Sequence, residues 1–186
     1  MSDKYKINKG NEAYFVTFTT VGWIKILEED SFKQLITDNI KFYQINKGLV
    51  VHAYCIMPNH VHMIIRASDP YSVSEILRDL KKFTSRAIIR KLEDEKSEGY
   101  KGILNHFREA GGHLKRIQKF KVWQDGNRAM ILYSNKFLMQ KLNYIHNNPV
   151  KSGFCFLPWE YKYSSAMDYT GQAGLVEVDL LTIVAE

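Results

Sequence analysis

Cysteine is nearly absent: Cys55 and Cys155 are the only two in 186 residues, too few for a disulfide scaffold and the usual mark of a reducing compartment. Proline is scarce at 4, while 45% of residues are apolar and 13% aromatic, which excludes disordered and fibrous chains. No apolar run approaches the ~18 residues of a membrane span, and the opening stretch MSDKYKINKGNE is polar. No membrane association and a cytoplasmic location are therefore expected. Acid is in short supply, with 20 Asp and Glu against 26 Lys and Arg, a net charge of +6. The final thirteen residues hold three acids and no base, leaving +9 on the rest. Such a surplus points to a polyanionic partner, nucleic acid first. The length suits one domain, read as residues 1–173 followed by an acidic and apolar tail, 174–186, that packs on the body or on a partner.

Tyr14 to Val21 alternates large apolar residues with Thr, the period of a half-buried strand. Asp30-Ser31 can cap a helix in which Phe32, Leu35, Ile36, Ile40 and Tyr43 recur until Lys47-Gly48. Leu49–Met57 and His60–Arg66 are strand-like runs around Pro58-Asn59, a turn pair, and predict a hairpin. From Ser72, the residues Val73, Ile76, Leu77, Leu80, Phe83, Ala87 and Ile88 mark the core face of a second helix, with Arg78, Lys81, Lys82, Arg86 and Arg90 opposite. Lys91 to Gly112 reads as a helix end and an excursion loop. Asp125-Gly126 predicts a hairpin turn within Lys121–Tyr133. After Ser134-Asn135, Phe137, Leu138, Leu142 and Ile145 define a third helix ending at Asn148-Pro149. The order β-α-β-β-α-β-α predicts an α+β protein, a ferredoxin-like βαββαβ antiparallel sheet backed by helices, with an additional C-terminal helix bearing Tyr144.

His60 and His62, two apart on a strand, leave one face and can converge on one divalent ion, although two ligands do not complete a site. The other reading puts both on the wet face of an edge strand. Tyr144 and Asn148 stand at i and i+4 on one helix face. An amide oxygen suits a hard ion such as Mg²⁺ or Mn²⁺, and a tyrosine beside it can serve as a nucleophile. A core aromatic is the plainer account of Tyr144. His146, on another side of that helix, is expected to be structural.

MPNHVHMII resembles the His-hydrophobe-His motif of the HUH single-tyrosine transposases, and LNYIHNNPVKSGF resembles their tyrosine helix. With WEYKYSSA following, the likeness is greatest to the REP-associated tyrosine transposase branch, over roughly Tyr14 to Tyr169. The resemblance implies that His60, His62 and Asn148 bind a divalent metal, Mg²⁺ or Mn²⁺, and that Tyr144 attacks a backbone phosphate of single-stranded DNA. It also implies a 5′-phosphotyrosine intermediate, rejoining by a 3′-hydroxyl, a hairpin-forming DNA target, and a monomer or homodimer. A module that grips nucleic-acid hairpins without cutting is the alternative.

Between Arg78 and Lys121 stand 13 bases and 6 acids, a local net of +7. Lys81, Lys82, Arg86, Lys115, Arg116, Lys119 and Lys121 are therefore candidates for a track along the DNA backbone, with Phe120 and Trp123 placed to stack on unpaired bases.

Overall fold

The computed structural model describes residues 12–95, 97–112 and 120–181. Four strands, β1 (Tyr14–Thr19), β2 (Leu49–Met57), β3 (His60–Ala67) and β4 (Met130–Ile131), form one sheet in the order β2-β3-β1-β4. Its named pairs are all antiparallel. That is the ferredoxin-like order expected from the sequence, and β3 is a central strand, which removes the edge-strand reading of His60 and His62.

Period-two alternation divides each strand between two cores. Tyr14, Val16, Phe18, Val61, Met63, Ile65, Tyr54 and Ile56 pack with apolar residues of α1 (Asp30–Lys47) and α2 (Val73–Glu95). On the reverse face Phe15, Ala53, Cys55, Met57 and Ile64 pack with Leu142 and Ile145 of α4 (Asn135–Lys151). All six residues of β1 are consequently buried, where alternation alone predicts a half-buried strand. Phe83 departs from the expected core face of α2 and is exposed.

Residues 91–112 are not an excursion loop. The second helix runs on to Glu95, and α3 spans Glu98–Gly111, opened by Ser97, whose hydroxyl accepts from the Tyr100 amide. Phe107 is buried, with Tyr100, Ile103 and Leu104 packed against the main core.

The expected hairpin at Asp125-Gly126 is also replaced. Residues 122–131 run as one interrupted strand along β1, bonding through Val21 to Val122, Gln124 to Thr19, Thr17 to Asn127, and the pairs Phe15–Met130 and Tyr14–Ile131. Asp125 and Gly126 form the outward bulge, with Gly126 at φ +74°. A lysine from α2 holds it: Lys81 Nζ donates to Gln124 O at 2.8 Å, Gly126 O at 2.9 Å and Asn127 Oδ1 at 3.2 Å. Burial lowers the Lys81 ammonium to about 8, and three oxygens offset the lost hydration.

The third sequence-predicted helix is α4. It does not stop at Asn148: Pro149 lies within its last turn, and it ends at Lys151. Gly153, at φ +75°, donates to Val150 O, and Phe154 donates to Pro149 O, a Schellman closure that satisfies the terminal carbonyls. The chain then returns across the outer edge of β2, where Ile56 N–H bonds Tyr163 O and Ser165 N–H bonds Tyr54 O. Of the predicted tail, residues 174–181 continue this cover: Val176 is buried, and Asp179 N–H reaches Val51 O.

Because Lys81 alone bridges three oxygens of the bulge, Lys81→Met is expected to lower unfolding free energy by about 2–3 kcal/mol in chemical denaturation. A loss below about 0.5 kcal/mol, the range of ordinary surface changes, would show that the bulge holds without it.

Candidate active site

His62 faces α4 from the middle of the sheet. Its register neighbours are Thr17 on β1 and Cys55 on β2, and its ring lies 5.5 Å from Phe15, nearly parallel to it. Its Nδ1 is 2.7 Å from Thr17 Oγ1, whereas its buried Nε2 has no hydrogen-bond partner. His60 emerges on the same face, with the two ring centroids 4.6 Å apart.

Asn59, read in the sequence only as a turn residue, fixes the tautomer of His60. Its Nδ2 donates to Trp23 O at 3.3 Å, leaving Oδ1 to face His60 Nδ1 at 2.6 Å. An amide oxygen only accepts, so Nδ1 carries the proton and Nε2 carries a lone pair. The same tautomer on His62, donating to Thr17, spares it a buried orphan N–H. Burial lowers His60 to about 4 and His62 to about 3, with the charges of His60, Lys141 and Arg128 adding to the effect on His62. Both imidazoles are neutral at pH 7.

The seam of Leu142 and Ile145 seats α4 over this face and brings Tyr144 to the histidines. The Tyr144 ring stands edge-on to His62 at 5.1 Å and to Phe15 at 6.0 Å. It is not the core aromatic that helix spacing alone suggests, since it remains 40% exposed. One turn earlier, Lys141 holds its ammonium 4.8 Å from the Phe15 ring centre and 5.8 Å from that of Tyr144. No motif in the sequence marks Lys141, although its spacing of three from Tyr144 puts it on the same helix face. Asn148, one turn beyond Tyr144, is half-buried. On the other side His146 is buried, its Nε2 2.9 Å from Ser165 Oγ, the structural role expected of it.

Among the described residues no three His, Cys, Asp or Glu side chains gather where they could hold a metal. The donors the structure brings side by side are the two neutral imidazoles, 4.6 Å apart between ring centres; Asn148 is the third donor that the family resemblance implies. An orphaned buried Nε2 beside a second lone-pair nitrogen fits a divalent metal, and Thr17 and Asn59 supply the outer hydrogen bonds that orient metal-binding histidines.

The candidate DNA surface is partly dismantled. Lys81 is committed to the bulge. Trp123 is buried, donating its indole N–H to Thr84 Oγ1 at 3.1 Å and meeting Phe18 edge-on, so it cannot stack on bases. Lys121 is largely covered and pairs with Asp125 at 2.7 Å. Lys82 and Arg86 are exposed on α2. Lys115, Arg116 and Lys119 lie outside the described residues.

The sheet order and flanking helices define a ferredoxin-like α+β protein. Residues 11–111, from β1 through α3 and including both histidines, match the family described as transposase IS200 like, and the chain belongs to that family. A Haemophilus influenzae protein named for the REP-associated tyrosine transposases is 26% identical over 150 residues, covering 75% of this chain and 76% of its own length. The solved structure of a REP-associated tyrosine transposase bound to a REP hairpin superposes with a TM-score of 0.66 at 17% identity, covering 100% of this chain and 96% of the other. No helix among the described residues is long and apolar enough to cross a membrane.

Neutral burial of histidines has a measurable cost in acid. His60 and His146 are lowered to about 4 and His62 to about 3 from an ordinary 6.5. The unfolded chain therefore binds more protons between those values, so this stability is complete above pH 6.5 and lost as pH falls towards 4. In metal-free protein, the unfolding free energy should drop across that window, and His146→Gln should reduce the slope by about one proton. An unchanged slope in the variant would mean that His146 titrates normally.

Proposed function

We propose that this chain is a divalent-metal-dependent transposase-like enzyme that cuts and rejoins single-stranded DNA through Tyr144, at hairpin-forming repetitive elements. The observation that carries the reading is the exposed Tyr144 ring standing 5.1 Å from a buried histidine whose outer nitrogen has no partner. A nucleophile must be accessible, and a metal ligand must keep a lone pair. The hairpin target rests on the solved relative with its bound REP hairpin.

Tyr144 Oη attacks a backbone phosphorus. The bond formed is Oη–P, the bond broken is P–O3′, and the departing 3′-oxygen takes a proton. The 5′-phosphate remains esterified to Tyr144, so phosphodiester energy is retained and a 3′-hydroxyl can reverse the step without a nucleotide cofactor. His60, His62 and Asn148 would hold Mg²⁺ or Mn²⁺, which supplies Lewis-acid neutralisation of the phosphate. Phe15 and Thr17 fix the His62 ring. Lys141 offers a second cation to a non-bridging oxygen, on the same helix face as the nucleophile.

Tyr144→Phe should leave folding and hairpin binding intact and abolish the denaturation-resistant protein–DNA adduct formed by the parent protein on labelled single-stranded hairpin DNA. Adduct at the parental rate would move the nucleophile elsewhere, and no adduct from the parent on its proper target would favour a hairpin-binding module.

Lys141→Gln should slow adduct formation roughly 100-fold in single-turnover assays, with partial recovery in Lys141→Arg. Equal rates for Gln and Lys would remove Lys141 from the chemistry.

Chelation should stop adduct formation and added Mn²⁺ restore it. In direct Mn²⁺ binding, His62→Ala should weaken affinity by at least about 10-fold; cleavage that persists in chelator would contradict a metal role.

A further inference from the structure

The loop after α4 exposes a run of large apolar side chains, and contiguous exposed apolar residues commonly mark a binding surface. Phe154, Phe156, Leu157 and Trp159 fall within six residues, all exposed, Phe156 at 93% and Trp159 at 42%. The ridge is also held in place. Phe156 and Leu157 donate their backbone N–H groups to Glu160 Oε2 at 3.0 and 2.9 Å, and the Phe154 ring leans on Tyr161 at 6.0 Å. Tyr161 in turn donates its hydroxyl to Ile56 O at 2.9 Å. Ile56 adjoins Met57, the register partner of His60, so the ridge is anchored at the His60 end of the sheet.

We propose that Phe156 and Trp159 form a stacking platform for unpaired bases of the DNA strand next to the scissile phosphate. The inference rests on reading the α4 face as a DNA-cutting site and adds a base-binding surface to it. Charge selects the occupant. From Asn135 to Tyr163 the chain carries Lys136, Lys141, Lys151 and Lys162 against a single acid, Glu160, whose carboxylate is turned to the loop's own amides; Lys162 also pairs with Asp30 of α1 at 3.9 Å. A lysine-rich segment bearing exposed aromatic rings on a held backbone has the composition that binds single strands, with lysines meeting phosphates and rings meeting base faces. Fixing the loop backbone beforehand lowers the ordering cost of binding.

The test measures affinity of the full chain for a fluorescein-labelled, mixed-sequence single-stranded oligonucleotide and for the same sequence as a duplex, with Tyr144→Phe as the non-cutting background. Phe156→Ala with Trp159→Ala should weaken single-strand binding roughly 10-fold or more for each ring engaged, leave duplex binding and the salt slope unchanged, and keep the parental melting temperature. Trp159→Phe should retain most of the affinity. Unchanged single-strand affinity would overturn the proposal, as would equal losses on single strand and duplex. Ridge-dependent self-association in sedimentation, or ridge-dependent binding to phosphatidylserine vesicles, with DNA affinity unaltered, would also overturn it and name the other occupant. Adduct formation by the Tyr144-containing protein is followed separately. Adduct with ridge-independent binding rejects the platform alone, whereas ridge-dependent binding without adduct rejects the cutting reaction alone.

Discussion

The arrangement depends on α4 lying across the sheet. Leu142 and Ile145 fill the face made by Phe15, Ala53, Cys55 and Ile64, and that contact decides where everything on the helix's exposed side falls. Burying two such side chains contributes about 3–6 kcal/mol, enough to hold the helix in one register. With the seam fixed, helical periodicity puts Lys141, Tyr144 and Asn148 on successive turns of one face, with the Tyr144 ring against His62. The same helix converts β1 and β3 from one-sided to two-sided strands, so His62 becomes buried and His60 partly buried rather than wet.

That burial sets the electrostatics. A neutral imidazole with its inner nitrogen engaged can offer only its outer nitrogen, and the inner nitrogens are engaged by Thr17 and Asn59. Protonation would bring a second cost, because Lys141 and Arg128 already put positive charge near His62. Burial and these charges together keep a proton off His62 and leave its outer nitrogen with a lone pair.

Much of this was legible in the sequence, for local reasons. Strand alternation placed His60 and His62 together, and helix spacing placed Tyr144 with Asn148. What was not legible arises from contacts distant in sequence. Lys81 has the look of a solvated helix residue, and only the bulge 43 residues away gives its ammonium a buried set of acceptors. Trp123 sits among lysines yet points into a core assembled by Phe18 and Thr84. Asn59 belongs to a turn pair, and its part in fixing a histidine proton appears only when Trp23 O is beside it. Helix α3 had a visible signal, Tyr100, Ile103, Leu104 and Phe107 at helical spacing, masked by Gly99, Gly102 and the surrounding charge.

The proposed reaction turns on a covalent bond between Tyr144 and DNA. The most direct measurement is peptide mass spectrometry of the protein incubated with Mn²⁺ and hairpin-bearing single-stranded DNA, then digested with nuclease and trypsin. The expected result is a Leu142–Lys151 peptide carrying a nucleotide through its 5′-phosphate, with fragmentation locating it on Tyr144. An unmodified Leu142–Lys151 peptide alongside a nucleotide on another tyrosine would contradict it.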